Sequence, residues 1–409
     1  MYDVIVVGAR CAGSPTAMLL SRAGYRVLLV DKVTFPSDTV SSHYLHLAGV
    51  ARLRAWGLLD RVLATGVPKI EKLSYGVNGI YLNDRFPAAH GETFGLATRR
   101  KVIDEILVDA AEEAGAEIRQ GVTVLDVLWD GGTVTGVRLR DRTGEVEEIH
   151  AKMVIGADGI HSAVAEAVKP AEYDGAPPGT AYWYSYWQGT DITEFVFTRI
   201  DGCELFIAPT NDDCVTVMVG WRHDRFREIR SDIEGNYLRA LELFPAFGTR
   251  VLAGRRVEPF YGSRFTRQWM RTPYGPGWAL VGDAGYHRDP IVGVGMSDAF
   301  THANQLVAAI DDGFSGRREL SAALAEFHAW RDERVRPTFE YAKRIATLDP
   351  LPPEMLAVIA ALEFDDEQRQ EFFRIFGGDT DFRKFFQPEN AQRIVGRAAR
   401  RKAELAGRS

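Results

Sequence analysis

The chain has 409 residues, of which 46% are hydrophobic and 26% are charged, so it can form a soluble globular protein of two or three domains. Its formal net charge of -7 argues against nucleic acid or an anionic membrane as the main partner. The 3 cysteines show neither metal-ligand spacing nor a disulfide framework, and no apolar run approaches the roughly 20 residues that span a bilayer. The N-terminus begins directly on a strand without signal-peptide features, so we expect a cytoplasmic protein.

The first predicted element is a buried parallel strand at residues 2–7, where four of the six residues are Val or Ile. A glycine-rich turn at residues 8–13, a helix and a second strand ending in Asp31 follow. This order is typical of a dinucleotide-binding unit, because the helix N-terminus offers free amides to a pyrophosphate. Arg10 replaces the usual middle glycine, and its side chain either contacts the cofactor or stays on the rim. The predicted cofactor residues in this unit are Gly8, Arg10, Cys11, Ala12, Gly13, Asp31 and Lys32.

A second glycine-rich segment follows a predicted strand late in the chain. Residues 279–281 lead into Gly282-Asp283-Ala284, and the chain continues through Pro290 to residues 293–297. An Asp-Gly pair at residues 158–159 follows another Val- and Ile-rich strand. In this order, the motifs resemble those of the glutathione-reductase-type FAD superfamily, in particular the monooxygenases built like aromatic hydroxylases.

The resemblance implies roles for individual residues. Gly282 and Asp283 are expected to hydrogen-bond the ribityl chain and the pyrophosphate of FAD, and Asp158 to support the cofactor. The loop from Pro290 leads into a helix whose N-terminus faces the flavin, where the helix dipole stabilises anionic reduced flavin. The residues implied for this half of the site are Arg100, Val124, Asp158, Gly282, Asp283, Pro290, Gly293, Gly295, Met296 and Ser297.

Two positions differ from the pattern of that family. Tyr286 stands where a histidine is common, and Ala165 stands where an arginine is expected. The sequence contains no second unit of strand, glycine-rich turn and helix, so we expect no separate NADPH domain. Electrons would come from transiently bound NADH or NADPH, or as reduced flavin from a partner flavin reductase.

Residues 181–187, 193–198, 203–208 and 214–219 predict consecutive antiparallel strands separated by turn-forming Asp, Asn and Gly, and residues 231–244 predict a helix that ends before Pro245. Strand alternation places Tyr182, Tyr184 and Tyr186 on one face and Trp183 and Trp187 on the other. One face is expected to pack on helices. The tyrosine face either lines a substrate cavity or belongs to the core of the sheet, and we select its three tyrosines as substrate residues.

The predicted fold class is α/β, with a Rossmann-type FAD-binding domain, an antiparallel β-sheet substrate domain and a helical C-terminal region. Residues 1–66, 97–174 and 255–340 form the discontinuous FAD-binding domain in this prediction. Residues 67–96 and 175–254 form the substrate domain. Residues 341–409 form the C-terminal region, which suits a cap or the surface of a homodimer.

The resemblance implies a monooxygenase in which a flavin C4a-hydroperoxide passes one oxygen atom from O2 to a small aromatic or polyketide-like metabolite, in biosynthesis rather than central metabolism. His43, Tyr286 and Arg288 are the catalytic candidates, because their segments approach the flavin in that family. His43 is either a flavin-facing residue or a structural one. Arg288 either acts near the flavin or pairs with the adjacent Asp289.

Three alternatives remain at this point. A flavin-dependent halogenase shares the fold and the chemistry, but the spacing of Trp183 and Trp187 does not match the halogenase tryptophan motif, and Lys69 and Lys72 are only loose candidates for its lysine. A flavin-dependent reductase of carbon–carbon double bonds, like the geranylgeranyl reductases of the superfamily, is the second. In the third, FAD is structural and the protein is a binding module.

Overall fold

The computed structural model of the protein describes residues 1–264, 267–377 and 382–406. Residues 265–266, in the predicted FAD-binding domain, and residues 378–381 and 407–409, in the predicted C-terminal region, lie outside the described residues. The fold is mixed α/β, with a parallel sheet, an antiparallel sheet and C-terminal helices, which confirms the predicted fold class. No helix in the described ranges combines the length and the apolar composition that crossing a bilayer requires.

The strands are β1 Tyr2–Val7, β2 Val27–Asp31, β3 Tyr44–Leu45, β4 Lys72–Val77, β5 Ile80–Arg85, β6 Leu96–Ala97, β7 Glu117–Gln120, β8 Thr123–Asp130, β9 Thr133–Arg140, β10 Val146–Gly156, β11 Glu172–Ala176, β12 Thr180–Gln188, β13 Phe195–Ile200, β14 Cys203–Pro209, β15 Cys214–Arg222, β16 Arg255–Arg256, β17 Tyr261–Arg264, β18 Gln268–Arg271, β19 Tyr274–Gly275, β20 Trp278–Leu280 and β21 Tyr286–His287. The α-helices are α1 Gly13–Arg22, α2 Leu47–Trp56, α3 Leu59–Leu63, α4 Arg100–Glu113, α5 Ala163–Val168, α6 Phe226–Ser231, α7 Ile233–Glu242, α8 Pro245–Leu252, α9 Gly295–Phe314, α10 Leu320–Ile345, α11 Pro353–Ala361, α12 Asp366–Gly377, α13 Phe382–Phe385 and α14 Pro388–Ala406. Short 3-10 helices span Gly159–His161, His223–Arg225, Gly282–Ala284, Pro290–Val292 and Leu362–Phe364.

The parallel sheet has the strand order β7–β2–β1–β10–β20. β1 pairs with the end of β10 on one side and with β2 on the other, and β20 extends the sheet beside β10. The Val- and Ile-rich strands are buried on both faces, as parallel strands between two layers must be. The carboxyl ends of β1, β2, β10 and β20 therefore lie along one edge, and the segments that follow them meet there.

The antiparallel sheet has the order β16–β12–β15–β14–β13–β4–β5, with β17 beside β12. β12 and β15 pair from Thr180 opposite Arg222 to Gln188 opposite Cys214. β13 pairs in parallel with β4, so residues 67–96 contribute strands to this sheet, as predicted. The strands predicted between residues 181 and 219 are confirmed as β12 to β15, and helix α7 lies within the helix predicted at residues 231–244.

The two faces of the antiparallel sheet bury different side chains. Tyr182, Tyr184 and Tyr186 lie on one face, and Trp183 and Trp187 lie on the other against α7 and α8, as the alternation predicts. We call the tyrosine side the inner face. Its registered rows are Tyr182–Gly220–Glu204–Arg199, Tyr184–Met218–Phe206–Phe197 and Tyr186–Thr216–Ala208.

The C-terminal helices cover part of the inner face. The ring centroids of Phe372 and Phe376 lie 5.0 Å and 5.5 Å from that of Tyr75, and Phe376 also lies 6.4 Å from Phe197. These contacts bury that part of the sheet and keep water from it.

The three-part division into domains stays a prediction. β16 and β17 pair with β12, so Arg255–Arg256 and Tyr261–Arg264 lie in the antiparallel sheet although the prediction gave residues 255–340 to the FAD-binding domain. Helix α10 runs through the predicted boundary at residue 340. Edge strands carry little hydrophobic patterning, which is why the sequence did not reveal these pairings.

Candidate cofactor and substrate site

The two glycine-rich segments meet at the carboxyl edge of the parallel sheet. A Cβ on Gly8, whose φ is +101°, would lie 2.5 Å from the carbonyl oxygen of Ala157. A Cβ on Gly282, whose φ is +63°, would lie 2.8 Å from the Cβ of Ala12. Neither position accommodates a side chain, so glycine is needed where these strand ends converge. The segments that the sequence singled out are thus neighbours in space.

Asp31 ties the first glycine-rich turn to the end of β2. Its carboxylate accepts hydrogen bonds from the backbone N–H groups of Ala9 at 2.6 Å and Val33 at 2.9 Å. Each carboxylate oxygen retains a second lone pair for a ligand hydroxyl. The neighbouring Lys32 is exposed. The predicted contact of Asp31 with the cofactor is therefore chemically possible and stays a prediction.

Arg10 turns toward helix α4, where it shares the buried carboxylate of Asp104. Arg10 Nη1 and Arg100 Nη2 lie 2.6 Å and 2.9 Å from Asp104 Oδ2. Cys11 Sγ lies 3.3 Å from the other carboxylate oxygen, and burial raises the pKa of this thiol, so it stays protonated. Burial opposes the charge of Arg100, but Asp104 outweighs this and raises the pKa of Arg100. Two guanidinium groups on one carboxylate leave positive charge beside the glycine-rich turn, which suits a pyrophosphate.

Three other predicted cofactor residues at this edge differ in exposure. Asp158 is half-buried and accepts hydrogen bonds from Ser162 Oγ at 2.5 Å and from Ala163 N at 2.7 Å, and burial raises the pKa of its carboxyl. Asp283 has 51% of its side chain exposed, which leaves its carboxylate accessible to a ligand. Val124 is buried in the cluster under the sheet.

Asp289 holds the loop before α9. Its carboxylate accepts hydrogen bonds from Gly179 N at 3.2 Å, from Thr180 N and Oγ1 at 3.0 Å and 2.7 Å, and from Ile291 N at 3.2 Å. Because Thr180 begins β12, the loop is fastened directly to the antiparallel sheet. A Cβ on Gly295 would meet nothing within 4 Å, so the first residue of α9 is exposed with open space beside it. The predicted residues Pro290, Gly293, Met296 and Ser297 lie in this loop and in the first turn of α9.

Tyr286 and Arg288, two of the predicted catalytic residues, lie in the strand and loop leading to Asp289. Tyr286 packs in a hydrophobic cluster with Phe339 of α10. Arg288 Nη2 lies 2.6 Å from Asp298 Oδ2, so its partner is not the adjacent Asp289. A local pair between residues 288 and 289 is therefore wrong, because the carboxylate of Asp289 is turned to backbone N–H groups. The catalytic roles of Tyr286 and Arg288 stay predictions.

His43, the third predicted catalytic residue, is fully buried and meets two of the predicted substrate tyrosines. His43 Nε2 lies 2.7 Å from Tyr186 Oη, and the ring centroids of His43 and Tyr184 lie 5.6 Å apart. Ser41 Oγ lies 3.8 Å from Met296 Sδ, which places this segment beside the first turn of α9. Burial lowers the pKa of His43 to about 3, so the imidazole is neutral. Its Nδ1 has no hydrogen-bond partner among the described residues.

Arg99 joins the start of α4 to the antiparallel sheet. Its guanidinium carbon lies 4.0 Å from the ring centroid of Tyr186, and its two terminal nitrogens lie 2.5 Å and 3.0 Å from the carboxylate oxygens of Glu258. Its backbone N–H donates to Asn211 Oδ1 at 3.0 Å. With 5% of its side chain exposed, Arg99 forms a buried bidentate ion pair that fixes the ring of Tyr186.

Several residues of the site were not predicted from the sequence. Asp104 follows Arg100 by one helical turn, a spacing that could have revealed it. His46 Nδ1 lies 2.8 Å from the carbonyl oxygen of Phe376, and the His46 backbone N–H donates to Ser297 Oγ at 3.1 Å, so His46 links α12 to α9. The other residues are Arg99, Glu258 and Asp289. Their contacts join segments that are distant in sequence, so no local pattern indicates them.

Residues 1–231, more than half of the chain, match the family described as FAD binding domain. The chain belongs to this family. FAD is its cofactor, and the protein is an FAD-dependent oxidoreductase. The described residues fit FAD, because they offer a glycine cradle, positive charge beside this cradle and open space at Gly295, the first residue of α9.

Relatives of this FAD-dependent oxidoreductase divide between three activities. Tryptophan 2-halogenase of Chondromyces crocatus is 26% identical over 337 residues, which cover 80% of this chain and 64% of that protein, so the chain spans less than two thirds of it. Digeranylgeranylglycerophospholipid reductase 1 of Methanopyrus kandleri is 27% identical, with 92% and 97% covered. Rifampicin monooxygenase of Streptomyces venezuelae is 28% identical, with 90% and 77% covered.

Solved structures share the fold over nearly the whole chain. The flavin-dependent brominase Bmp2 superposes with a TM-score of 0.78 at 18% identity, covering 98% of this chain and 99% of that one. PqsL from Pseudomonas aeruginosa superposes with a TM-score of 0.70 at 21% identity, covering 91% and 99%. At these identities the likeness establishes the fold.

We expect Asp104→Asn to lower the free energy of unfolding by about 3 kcal/mol, because it leaves two guanidinium groups against a neutral amide. Urea unfolding monitored by circular dichroism measures this loss. Asp109→Asn is the matched control, since it removes a carboxylate from the same helix whose side chain is 51% exposed. Equal losses in the two variants would contradict the role of the buried cluster.

We expect Gly282→Ala to lose most of its bound FAD, because the added Cβ would push Ala12 away from the segment. Gly316→Ala controls for backbone strain, since Gly316 has a φ of +75° and open space around its Cβ. Because φ is positive at both positions, alanine lowers the stability by roughly 1–2 kcal/mol at either one. Flavin absorbance per mole of protein after gel filtration measures retention. If both variants retain FAD equally, the contact between the segments is not required.

We expect the stability of the protein to depend on pH through His43. Burial lowers the pKa of His43 from 6.5 to about 3, so between these values the unfolded chain binds a proton that the folded chain does not. Stability is therefore lost as the pH falls through this window. We expect His43→Gln to reduce the slope of unfolding free energy against pH by up to about 1.4 kcal/mol per unit, measured by urea unfolding between pH 5 and 7.

His90→Gln is the matched control for this slope. His90 is exposed and has a φ of +54°, close to the +60° of His43, so the two substitutions perturb the backbone alike. An unchanged slope in His43→Gln would show that this imidazole is not neutral in the folded protein.

Proposed function

We propose that the protein is an FAD-dependent monooxygenase that inserts one oxygen atom from O2 into a small aromatic or polyketide-like metabolite. The observation that carries this proposal is the 2.7 Å contact between His43 Nε2 and Tyr186 Oη. It joins a predicted catalytic residue to a predicted substrate residue, beside the first turn of α9. Enzymes that oxygenate phenols need such acid–base groups, because phenolic substrates exchange protons as they react.

The cofactor would be held along the edge where the glycine-rich segments meet. Asp31 and Asp283 have carboxylate oxygens available for ribose and ribityl hydroxyls, and the Arg10–Asp104–Arg100 cluster places positive charge near the pyrophosphate. When bound and reduced, FAD supplies the electrons that activate molecular oxygen. The open N-terminus of α9 would face the flavin and favour its anionic reduced form.

His43 and Tyr186 would hold a proton next to the substrate. The pKa of Tyr186 is raised by burial, so the hydroxyl stays protonated, while the imidazole of His43 is neutral. A neutral imidazole carries one N–H group. If the Tyr186 hydroxyl donates to Nε2, the hydrogen is on Nδ1, which then donates to a ligand. If Nε2 donates to Tyr186, Nδ1 accepts from a ligand. The pair would thus hold and orient a phenol of the substrate by one hydrogen bond at Nδ1. Arg99 keeps the Tyr186 ring in place by stacking on it.

The inner face would exclude water and position the substrate. Tyr184, Met218 and Phe206 form one row and are each less than a tenth exposed. Aromatic and thioether side chains bind flat apolar rings well. A dry pocket also strengthens the hydrogen bonds that the substrate makes to His43 and Tyr186.

NADH, NADPH or a partner flavin reductase would supply the electrons, and the location would be the cytoplasm. Ala165, in place of the arginine of the family pattern, supports a reductase partner over direct binding of a pyridine nucleotide. We also propose the C-terminal helices as the surface of a homodimer.

A flavin-dependent halogenase is the second candidate, because a tryptophan 2-halogenase is a relative over 80% of the chain. Lys69 and Lys72, the lysines considered for that activity, are both exposed. Lys69 Nζ lies 4.9 Å from the ring centroid of Phe94. These placements favour the monooxygenase.

Oxygen uptake distinguishes the candidate activities. Purified protein is mixed with a panel of small phenols and aromatic ketones, and with NADH, NADPH or a flavin reductase in parallel. A monooxygenase consumes oxygen faster with one of these compounds and adds 16 mass units to it, the mass of one oxygen atom. A product that forms only with chloride or bromide would support the halogenase. Anaerobic loss of an alkene from an isoprenoid would support the reductase.

With an accepted substrate, we expect Tyr186→Phe to lower kcat by about 100-fold, because the proton held between Tyr186 and His43 is lost. Tyr173→Phe is the control, since it removes a tyrosine hydroxyl from a side chain that is 41% exposed. Stopped-flow kinetics and flavin content are measured for both variants. A kcat that is unchanged in Tyr186→Phe, with FAD fully bound, would rule out this role.

A further inference from the structure

A second polar group lies on the inner face, at the other end of β12 from His43. Tyr182, Gly220, Glu204 and Arg199 face one another across four adjacent strands. Tyr182 is 3% exposed and Glu204 is 2% exposed, so both are withdrawn from water. Buried carboxyl groups are rare unless they are paired, and this one therefore calls for a physical account.

Gly220 allows Tyr182 and Glu204 to meet although another strand lies between them. A Cβ at position 220 would lie 2.4 Å from Tyr182 Cε1 and 2.8 Å from Glu204 Cγ. In the space that glycine leaves, the hydroxyl of Tyr182 donates a hydrogen bond to Glu204 Oε1. The other oxygen, Glu204 Oε2, is buried and has no hydrogen-bond partner among the described residues.

Asp289 is the second carboxyl group of this region, and its surroundings differ from those of Glu204. Asp289 accepts four hydrogen bonds, from the N–H groups of Gly179, Thr180 and Ile291 and from the hydroxyl of Thr180. Glu204 accepts one hydrogen bond, from Tyr182. Where two neighbouring carboxyl groups differ in this way, the better-bonded one keeps the negative charge and the other keeps the proton.

The other groups that face Glu204 are Arg199 on β13 and Tyr341 on α10. Arg199 forms no ion pair with Glu204 among those described, and its Nη2 donates to the carbonyl oxygen of Asp349 at 2.7 Å. Burial raises the pKa of Glu204 to about 8, against the hydrogen bond of Tyr182 and the charge of Arg199, with a smaller upward contribution from Asp289. The carboxyl group is accordingly protonated at neutral pH.

We propose that Glu204 is a neutral carboxylic acid that, together with Tyr182, forms a subsite donating a hydrogen bond to an oxygen acceptor of the substrate. Oε1 receives the hydroxyl of Tyr182, which leaves the proton on Oε2 for a carbonyl or phenol oxygen. This subsite rests on the proposed function, because it assumes that the inner face holds the substrate.

The spacing of the two polar groups indicates the size of that substrate. Tyr182 and Tyr186 are four residues apart on β12, which corresponds to about 13 Å along a strand. The row Tyr184–Met218–Phe206 lies between them. A molecule that reaches from His43 to Glu204 is therefore an elongated aromatic compound of two or three fused rings with an oxygen at its far end.

Infrared difference spectroscopy tests the protonation of Glu204 without any substrate. We expect wild type minus Glu204→Gln to contain the C=O band of a protonated carboxyl at pH 7, and this band to disappear as the pH rises through about 8. In Tyr182→Phe the band should persist to higher pH, because the hydroxyl that stabilises the carboxylate is gone. Glu148→Gln, at an exposed position, controls for the substitution and should give no such band. Absence of the band at pH 7 would overturn the proposal.

Ligand binding tests the subsite itself. The probes are 1-hydroxy-2-acetonaphthone and 1-naphthol, which differ by one acetyl group, and quenching of tryptophan fluorescence reports their Kd. We expect wild type to bind the ketone at least tenfold more tightly. Glu204→Leu should abolish this preference, and Glu204→Gln, which keeps a donor, should retain most of it. The subsite would be overturned if wild type bound the two probes with equal Kd or bound neither of them. It would also be overturned if the preference for the ketone survived in Glu204→Leu.

Failure of this proposal can be told apart from failure of the proposed function. If the infrared band and the ketone preference are present but no compound accelerates oxygen uptake, the subsite stands and the monooxygenase does not. If oxygen uptake responds to aromatic compounds while the band is missing, the monooxygenase stands and Glu204 has no part in holding a proton.

Discussion

The contact between the two glycine-rich segments brings together the ends of the parallel strands and the helices α1 and α9. Gly282 packs against Ala12, and Gly8 packs against Ala157, so backbones that are far apart in sequence approach to van der Waals distance. This packing requires β20 to pair with β10, and it places helix α9 against α1. The two glycine-rich segments, which are far apart in sequence, therefore form one cradle that neither segment supplies alone.

The same edge of the sheet is connected to the antiparallel sheet by buried charge. Asp289 fastens the loop before α9 to Thr180, the first residue of β12. Along β12, the inner face then passes from Tyr182 to Tyr186, with an acid at one end and a neutral histidine at the other. The loop before α9 is hydrogen-bonded to the first residue of β12, and the inner face runs along the same strand, so β-strand geometry sets the spacing between this loop and the inner face.

Local patterns predicted a large part of this architecture. The alternation of Tyr182 to Trp187 and the turn after β1 are properties of short segments, and burial of one face or a positive φ enforces them. The pairs Arg99–Glu258 and Tyr182–Glu204 could not be predicted, because each depends on the register of strands or loops distant in sequence. Gly220 is an example, because its role is to leave room for the side chains of Tyr182 and Glu204, and its neighbours in sequence do not indicate this.

Arg99 has a consequence for how a substrate could enter. It lies at the N-terminal end of α4, stacks on Tyr186 and holds Glu258 in a bidentate pair, so rotating the two sheets apart at this corner would separate a guanidinium that is 5% exposed from a carboxylate that is 24% exposed. The opposite end of the inner face is covered by Phe372 and Phe376, whose rings pack on Tyr75 and Phe197. There Arg369 of α12 pairs with Asp84 of β5 at 3.1 Å. Ion pairs therefore flank the inner face on both sides, and a substrate that enters by moving either corner would have to separate opposite charges.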